Sequence, residues 1–80
     1  MDDADVLARI SALVDEEHEI YQREGRNSAT DADRDRRERL EVTLDQCWDL
    51  LHQRRARREA GQDPDGASVR DAKTVEGYVG

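Results

Sequence analysis

Between Val6 and Tyr21 the apolar residues fall at Val6, Leu7, Ile10, Leu13, Val14, Ile20 and Tyr21, a spacing of three and four that follows one side of a helix. An amphipathic helix over about residues 3–24 is predicted. Asp2 or Asp3 can accept from the free amides of its first turn, Asp5 adds negative charge at the positive end of the dipole, and Gly25 offers a left-handed stop. After the polar run Arg26-Asn27-Ser28-Ala29-Thr30, Thr30 with Asp33 three residues on resembles an acidic capping box. A second helix over about residues 31–60 follows, apolar at Leu40, Leu44, Cys47, Trp48 and Leu51, with Asp33/Arg37 and Asp35/Arg39 as acid-first i, i+4 pairs. Arg54, Arg55, Arg57 and Arg58 offset the negative end of its dipole, and Gly61 is the expected residue just past it.

Two helices joined by so short a connection run antiparallel. A turn near Ser28 sets Leu13 opposite Leu44, Ile10 opposite Cys47, Val6 opposite Leu51 and Ile20 near Arg37. Residues 1–61 thus read as an all-α two-helix hairpin. In residues 62–80, Asp63-Pro64-Asp65-Gly66 is a turn, and Val69, Val75, Tyr78 and Val79 are too scattered for a third core helix, so an irregular tail is expected. A hairpin leaves one side of each apolar stripe wet, and pairing with a second copy into a four-helix bundle covers it. The anticipated core and interface residues are Leu13, Ile20, Leu40, Leu44, Cys47, Trp48 and Leu51, with the Trp48 ring as anchor.

Composition supports an assembly of this kind. In a chain of 80 residues a single core supplies little net stability, and 41% charged against 35% apolar residues leaves few side chains to build one. The net charge of −7, concentrated at Asp2, Asp3, Asp5 and again at Asp63, Asp65, Asp71 and Glu76, repels bare phosphate backbones. One cysteine cannot form an internal disulfide, and no apolar run has the length of a signal-peptide core or a membrane span, so a cytoplasmic location is the expectation.

The segments Leu13-Val14-Asp15-Glu16-Glu17-His18, Leu40-Glu41-Val42, Leu44-Asp45-Gln46-Cys47-Trp48-Asp49-Leu50-Leu51, Arg54-Arg55-Ala56 with Arg58-Glu59-Ala60-Gly61 and Asp63-Pro64-Asp65, and Val75-Glu76-Gly77-Tyr78 resemble a family of small actinobacterial proteins, domain of unknown function 2630. The resemblance spans nearly the whole chain. It implies a family and no activity, and it transfers no catalytic or binding residue.

Candidate chemistry is sparse. Glu17 falls at the centre of the first apolar stripe, where a carboxylate needs a partner, and Arg37 is the nearest inward-facing base, so a desolvated Glu17–Arg37 pair acting as a register device is expected. Glu17, His18 and Glu41 are the metal ligands a dimeric iron-type bundle would use, although Asp15-x-x-His18 and Asp49-x-x-His52 match that pattern only in spacing. Cys47, on the apolar stripe, is a small hydrophobe without a histidine to activate it. The arginines at 54–58 spread around their helix beside acidic segments, which favours dipole compensation and contact with those segments over RNA or ribosome association. Val75 and Tyr78 form a possible docking tail. The reading that results is a non-enzymatic interaction module without a cofactor, homodimeric and able to engage another protein through its acidic surface or tail; a metal-binding four-helix bundle and an RNA-associated protein are the alternatives.

Overall fold

A computed structural model describes residues 2–79, with side chains up to Val75. Helix α1 spans Asp3–Gly25 and helix α2 spans Asp31–Glu59, and no strand occurs among the described residues. Each helix opens with a reciprocal capping box. The Asp2 carboxylate accepts from the Asp5 amide at 2.8 Å while Asp5 reaches back to the Asp2 amide; Thr30 and Asp33 repeat the exchange at the start of α2. The two helices close in the same way too. In α1 the Ser28 amide donates to the Arg23 carbonyl at 2.8 Å and Asn27 takes the left-handed conformation, at φ 57°. The expected stop at Gly25 is thereby displaced: Gly25 remains helical, and Asn27, whose short polar side chain tolerates positive φ, turns the chain. In α2 the Gln62 amide bonds the Arg57 carbonyl at 2.7 Å and Gly61, at φ 73°, fills the position anticipated for it.

The antiparallel pair buries Val6, Ile10, Leu13 and Ile20 of α1 against Leu40, Leu44, Cys47 and Leu50 of α2, with Leu51 and Ala67 packed on the edge. Beyond α2 the tail is more ordered than its scattered apolar residues suggest. Pro64–Gly66 forms a 3-10 turn, and a short helix α3 covers Ala72–Val79, its first turn capped by Asp71, which accepts from the Thr74 amide at 2.7 Å. The expectation of an irregular tail counted apolar residues and overlooked this cap and one well-placed anchor: Val75 is only 2% exposed.

Both the 3-10 turn and α3 pack along α2, and among the described residues neither backbone comes alongside α1. Helix α2 is therefore the middle of a single layer, with α1 along one side and the tail along another. The Cα extents of 50 × 26 × 14 Å fit that arrangement, a slab with two broad faces open to water.

Candidate functional site

One broad face carries an apolar strip. Leu7, Val14 and Tyr21, seven residues apart on α1, share one side of that helix and are each 43–50% exposed. The Tyr21 hydroxyl donates to the Glu41 carboxylate at 3.1 Å, and the Arg37 guanidinium lies 5.6 Å from the centre of its ring, so the strip borders α2 at Arg37 and Glu41. Seven residues on from Glu41 stands Trp48, 45% exposed on the same side of α2. Because the helices run antiparallel, Val14 comes to the level of Trp48. Glu41 and burial both push the Tyr21 hydroxyl pKa up.

The other surface is the junction of α2 with the tail, held by two charged clusters. In the first, the Asp49 carboxylate, 9% exposed, receives both prongs of the Arg70 guanidinium and the Gln53 amide at 2.9 Å. Arg70 holds the Asp49 carboxyl below the usual carboxylate range, against the opposite pull of burial, and Gln53 adds to the lowering. In the second, Arg54, 5% exposed, donates to Asp3 at 2.6 Å, to Asp65 at 2.9 Å and to the Pro64 carbonyl at 3.3 Å, and Arg58 reaches Asp3 at 2.8 Å. These pairs tie the start of α1, the end of α2 and the tail into one unit. Beside the first cluster an indentation of about 290 Å³ lies among Trp48, His52, Ala56 and Val75, with Asp45 also lining it.

Of the residues singled out from the sequence, Leu13, Ile20, Leu40, Leu44 and Cys47 are buried and Leu51 is half-buried. Trp48 is not part of the hairpin's own core; it stands just off the stripe defined by Leu40, Leu44, Cys47 and Leu51, and α1 does not reach over it. The Glu17–Arg37 pair does not form. Arg37 instead meets Glu24 at 3.3 Å, because the register brings that residue to its level, while Glu17 lies seven residues, about 10 Å along the axis, farther from the turn. Glu17 itself is half-buried.

Glu17, His18 and Glu41 are not gathered into a metal-holding group: Glu41 is engaged by Tyr21, His18 lies 3.3 Å from Gln22, and no cluster of three His, Cys, Asp or Glu ligands occurs among the described residues. Within the arginine cluster Arg54 and Arg58 are occupied as above, and Arg55 pairs with Glu59 at 3.1 Å. Val75 is buried against α2, and the Tyr78 side chain lies outside the described residues. The contacts of Arg54 and Arg58 with Asp3 and of Arg54 with Asp65 are those expected of the arginine cluster toward the acidic segments, whereas sequence reasoning missed the roles of Gln46, Asp49, Gln53 and Arg70. The available signal was the i, i+3, i+7 spacing of Gln46, Asp49 and Gln53, a polar stripe rich in uncharged amides on an otherwise charged helix.

These features define a class: a capped helical hairpin with a C-terminal segment strapped along its second helix, and no helix among the described residues long and apolar enough to cross a membrane. The chain belongs to the family described as "Protein of unknown function (DUF2630)", whose model matches residues 2–80. Similar proteins include the uncharacterized protein Rv0898c of Mycobacterium tuberculosis H37Rv and the uncharacterized protein Mb0922c of Mycobacterium bovis, each 49% identical over 80 residues that cover 98% of this chain and 91% of the relative. No solved structure matches the chain.

Proposed function

We propose that this protein is a non-enzymatic interaction module that acts as a homodimer, two hairpins meeting through the strip of Leu7, Val14, Tyr21 and Trp48 to form a four-helix bundle. The observation that carries this reading is the exposure of those four large side chains along one broad face of a single-layer molecule. Scattered exposed apolar residues are ordinary; a strip at heptad spacing along α1, with the Trp48 ring of α2 beside it, has the pattern of the seam that helical bundles bury.

A second copy is the occupant that fits best. Over the about 35 Å that α1 runs alongside α2, two helices roughly 9 Å apart offer a face on the order of 600 Å², near the ~800 Å² each partner gives to a stable interface. The strip is bordered by Glu17 and Glu41 as well as Arg37, so a copy turned about a two-fold axis can set opposite charges against each other.

Sedimentation equilibrium at micromolar concentration tests the proposal. The expected mass is twice the 9.2 kDa of the chain, and Val14→Asp is expected to return it to 9.2 kDa with its helical circular dichroism intact. A wild-type chain that sediments at 9.2 kDa throughout that range defeats the reading.

A further inference from the structure

Gln46, Asp49 and Gln53 stand in one line along the side of α2 that bears the tail. The Gln46 side chain donates to the Arg70 carbonyl at 3.2 Å and the Gln53 side chain to the Ser68 carbonyl at 2.8 Å. Those carbonyls are two residues apart in a stretch outside any helix, the separation at which an extended chain presents carbonyls to the same side. Asp49, between the two glutamines, grips the Arg70 guanidinium, and five residues beyond Arg70 the Val75 side chain is buried. Two amides for the main chain, a carboxylate for one guanidinium and a socket for one aliphatic side chain are the elements with which a protein surface reads a peptide.

We propose that this side of α2 is a peptide-recognition groove kept closed by the chain's own segment 67–75, and that it receives from a partner protein a segment of the same kind, extended through an arginine and then turning helical to present a small aliphatic residue five positions on. The chemistry of the resident segment defines that of the partner. Charge complementarity points the same way: Asp49 lies in the groove, Asp45 lines the indentation beside it and the chain carries −7 overall, all of which favour a basic segment.

The resident segment is built to be displaced. Among the described side chains of the segment Val75 alone is buried and Ala67 packs at the edge of the core, whereas eight buried side chains hold α1 to α2. Its remaining contacts are hydrogen bonds and ion pairs that water replaces when the segment lifts, so Gln46, Asp49 and Gln53 are left hydrated and satisfied. The Arg54 cluster clamps Pro64 and Asp65 at the root of the strap, which confines the lifting to the residues beyond it. The indentation beside Trp48 and Val75 leaves room for an incoming side chain.

The test uses full-length protein and a fluorescently labelled synthetic peptide of residues 62–80. Arg70→Ala, whose own strap lacks the guanidinium, is expected to bind the peptide roughly 10- to 100-fold more tightly than the wild type, whose groove is occupied, the range of one charged hydrogen-bonding contact. A peptide with alanine in place of Arg70 is expected to bind neither chain. Hydrogen exchange at the Thr74 and Val75 amides should accelerate in Arg70→Ala by a similar factor. Asp49→Asn should likewise free the strap but not bind the peptide, and exchanging the charges, Asp49→Arg with Arg70→Asp, should restore protection. If Arg70→Ala does not fold, Arg70→Lys, which keeps the charge without the two-pronged geometry, replaces it and is expected to bind at an intermediate level. Unchanged strap protection in these variants together with no peptide binding would show a fixed part of the fold and overturn the proposal.

Discussion

Leu40 and Trp48 lie eight residues apart on α2 and periodicity assigns both to the core, yet one is 1% exposed and the other 45%. The difference is angular: Leu40 points at α1 between the buried α1 side chains, whereas Trp48 is turned toward the broad face. Their substitutions should separate accordingly. Leu40→Ala is expected to cost about 2–5 kcal/mol in urea denaturation, the range for a fully enclosed leucine. Trp48→Ala should cost the single hairpin about 1 kcal/mol, since only part of the ring is sheltered, and show its main effect as weaker self-association in sedimentation. Gly61, at φ 73° with open space around its Cα, marks another residue-scale constraint: Gly61→Ala meets no neighbour but forces a left-handed alanine, at about 1–2 kcal/mol by the same denaturation assay.

The helices are specified twice, by periodicity along their length and by hydrogen-bonded caps at their ends. Thr30→Ala removes the acceptor for the Asp33 amide and is expected to lower stability by about 1 kcal/mol in thermal unfolding. The loss will not stay local, because Asp33 also takes both prongs of Arg23 across the turn, at 2.9 and 3.1 Å. At the far end of the hairpin the strap depends on ionised carboxylates. The Asp49 pKa is lowered in the folded protein, chiefly by Arg70, so its contribution is complete above the ordinary aspartate value of 3.8 and is lost as pH falls from there through the depressed folded-state value. Protection of the α3 amides relative to their intrinsic exchange rates, measured from neutral pH downward, should show the strap loosening in that acid window, and Asp49→Asn should reduce that change, the remainder coming from the Asp71 cap of α3, whose carboxyl the Thr74 amide also holds below its ordinary value.

As a whole the molecule is a layer with α2 at its centre, and its apolar strip and strapped groove have only Trp48 in common. A bundle formed through the strip would leave the strap on its outer edge. Stability should then depend on protein concentration, since association draws on the folded state alone, and the midpoint of thermal unfolding is expected to rise as the chain is concentrated. Val14→Asp should remove that dependence while Arg70→Ala retains it. Calorimetry at two concentrations checks both.

The helices and their ends were legible because their causes are local. A stripe at Val6, Ile10, Leu13 and Ile20, a Thr30–Asp33 box or a glycine at position 61 each act within a turn or two of chain. Which apolar residue lies inside, which carboxylate meets which guanidinium, and where the tail runs depend on groups brought together from 10 to 51 residues apart, as in Arg23–Asp33 and Asp3–Arg54. The rotation and the axial register of two packed helices decide those matters, the first moving Trp48 out of the core and the second giving Arg37 to Glu24 in place of Glu17. The sequence by itself determined two capped amphipathic helices that run antiparallel. Only the tertiary structure decided that Arg54 and Asp49 become buried charges holding a strap, because a charged residue's partner is set by the register and path of the chain and not by its neighbours in sequence.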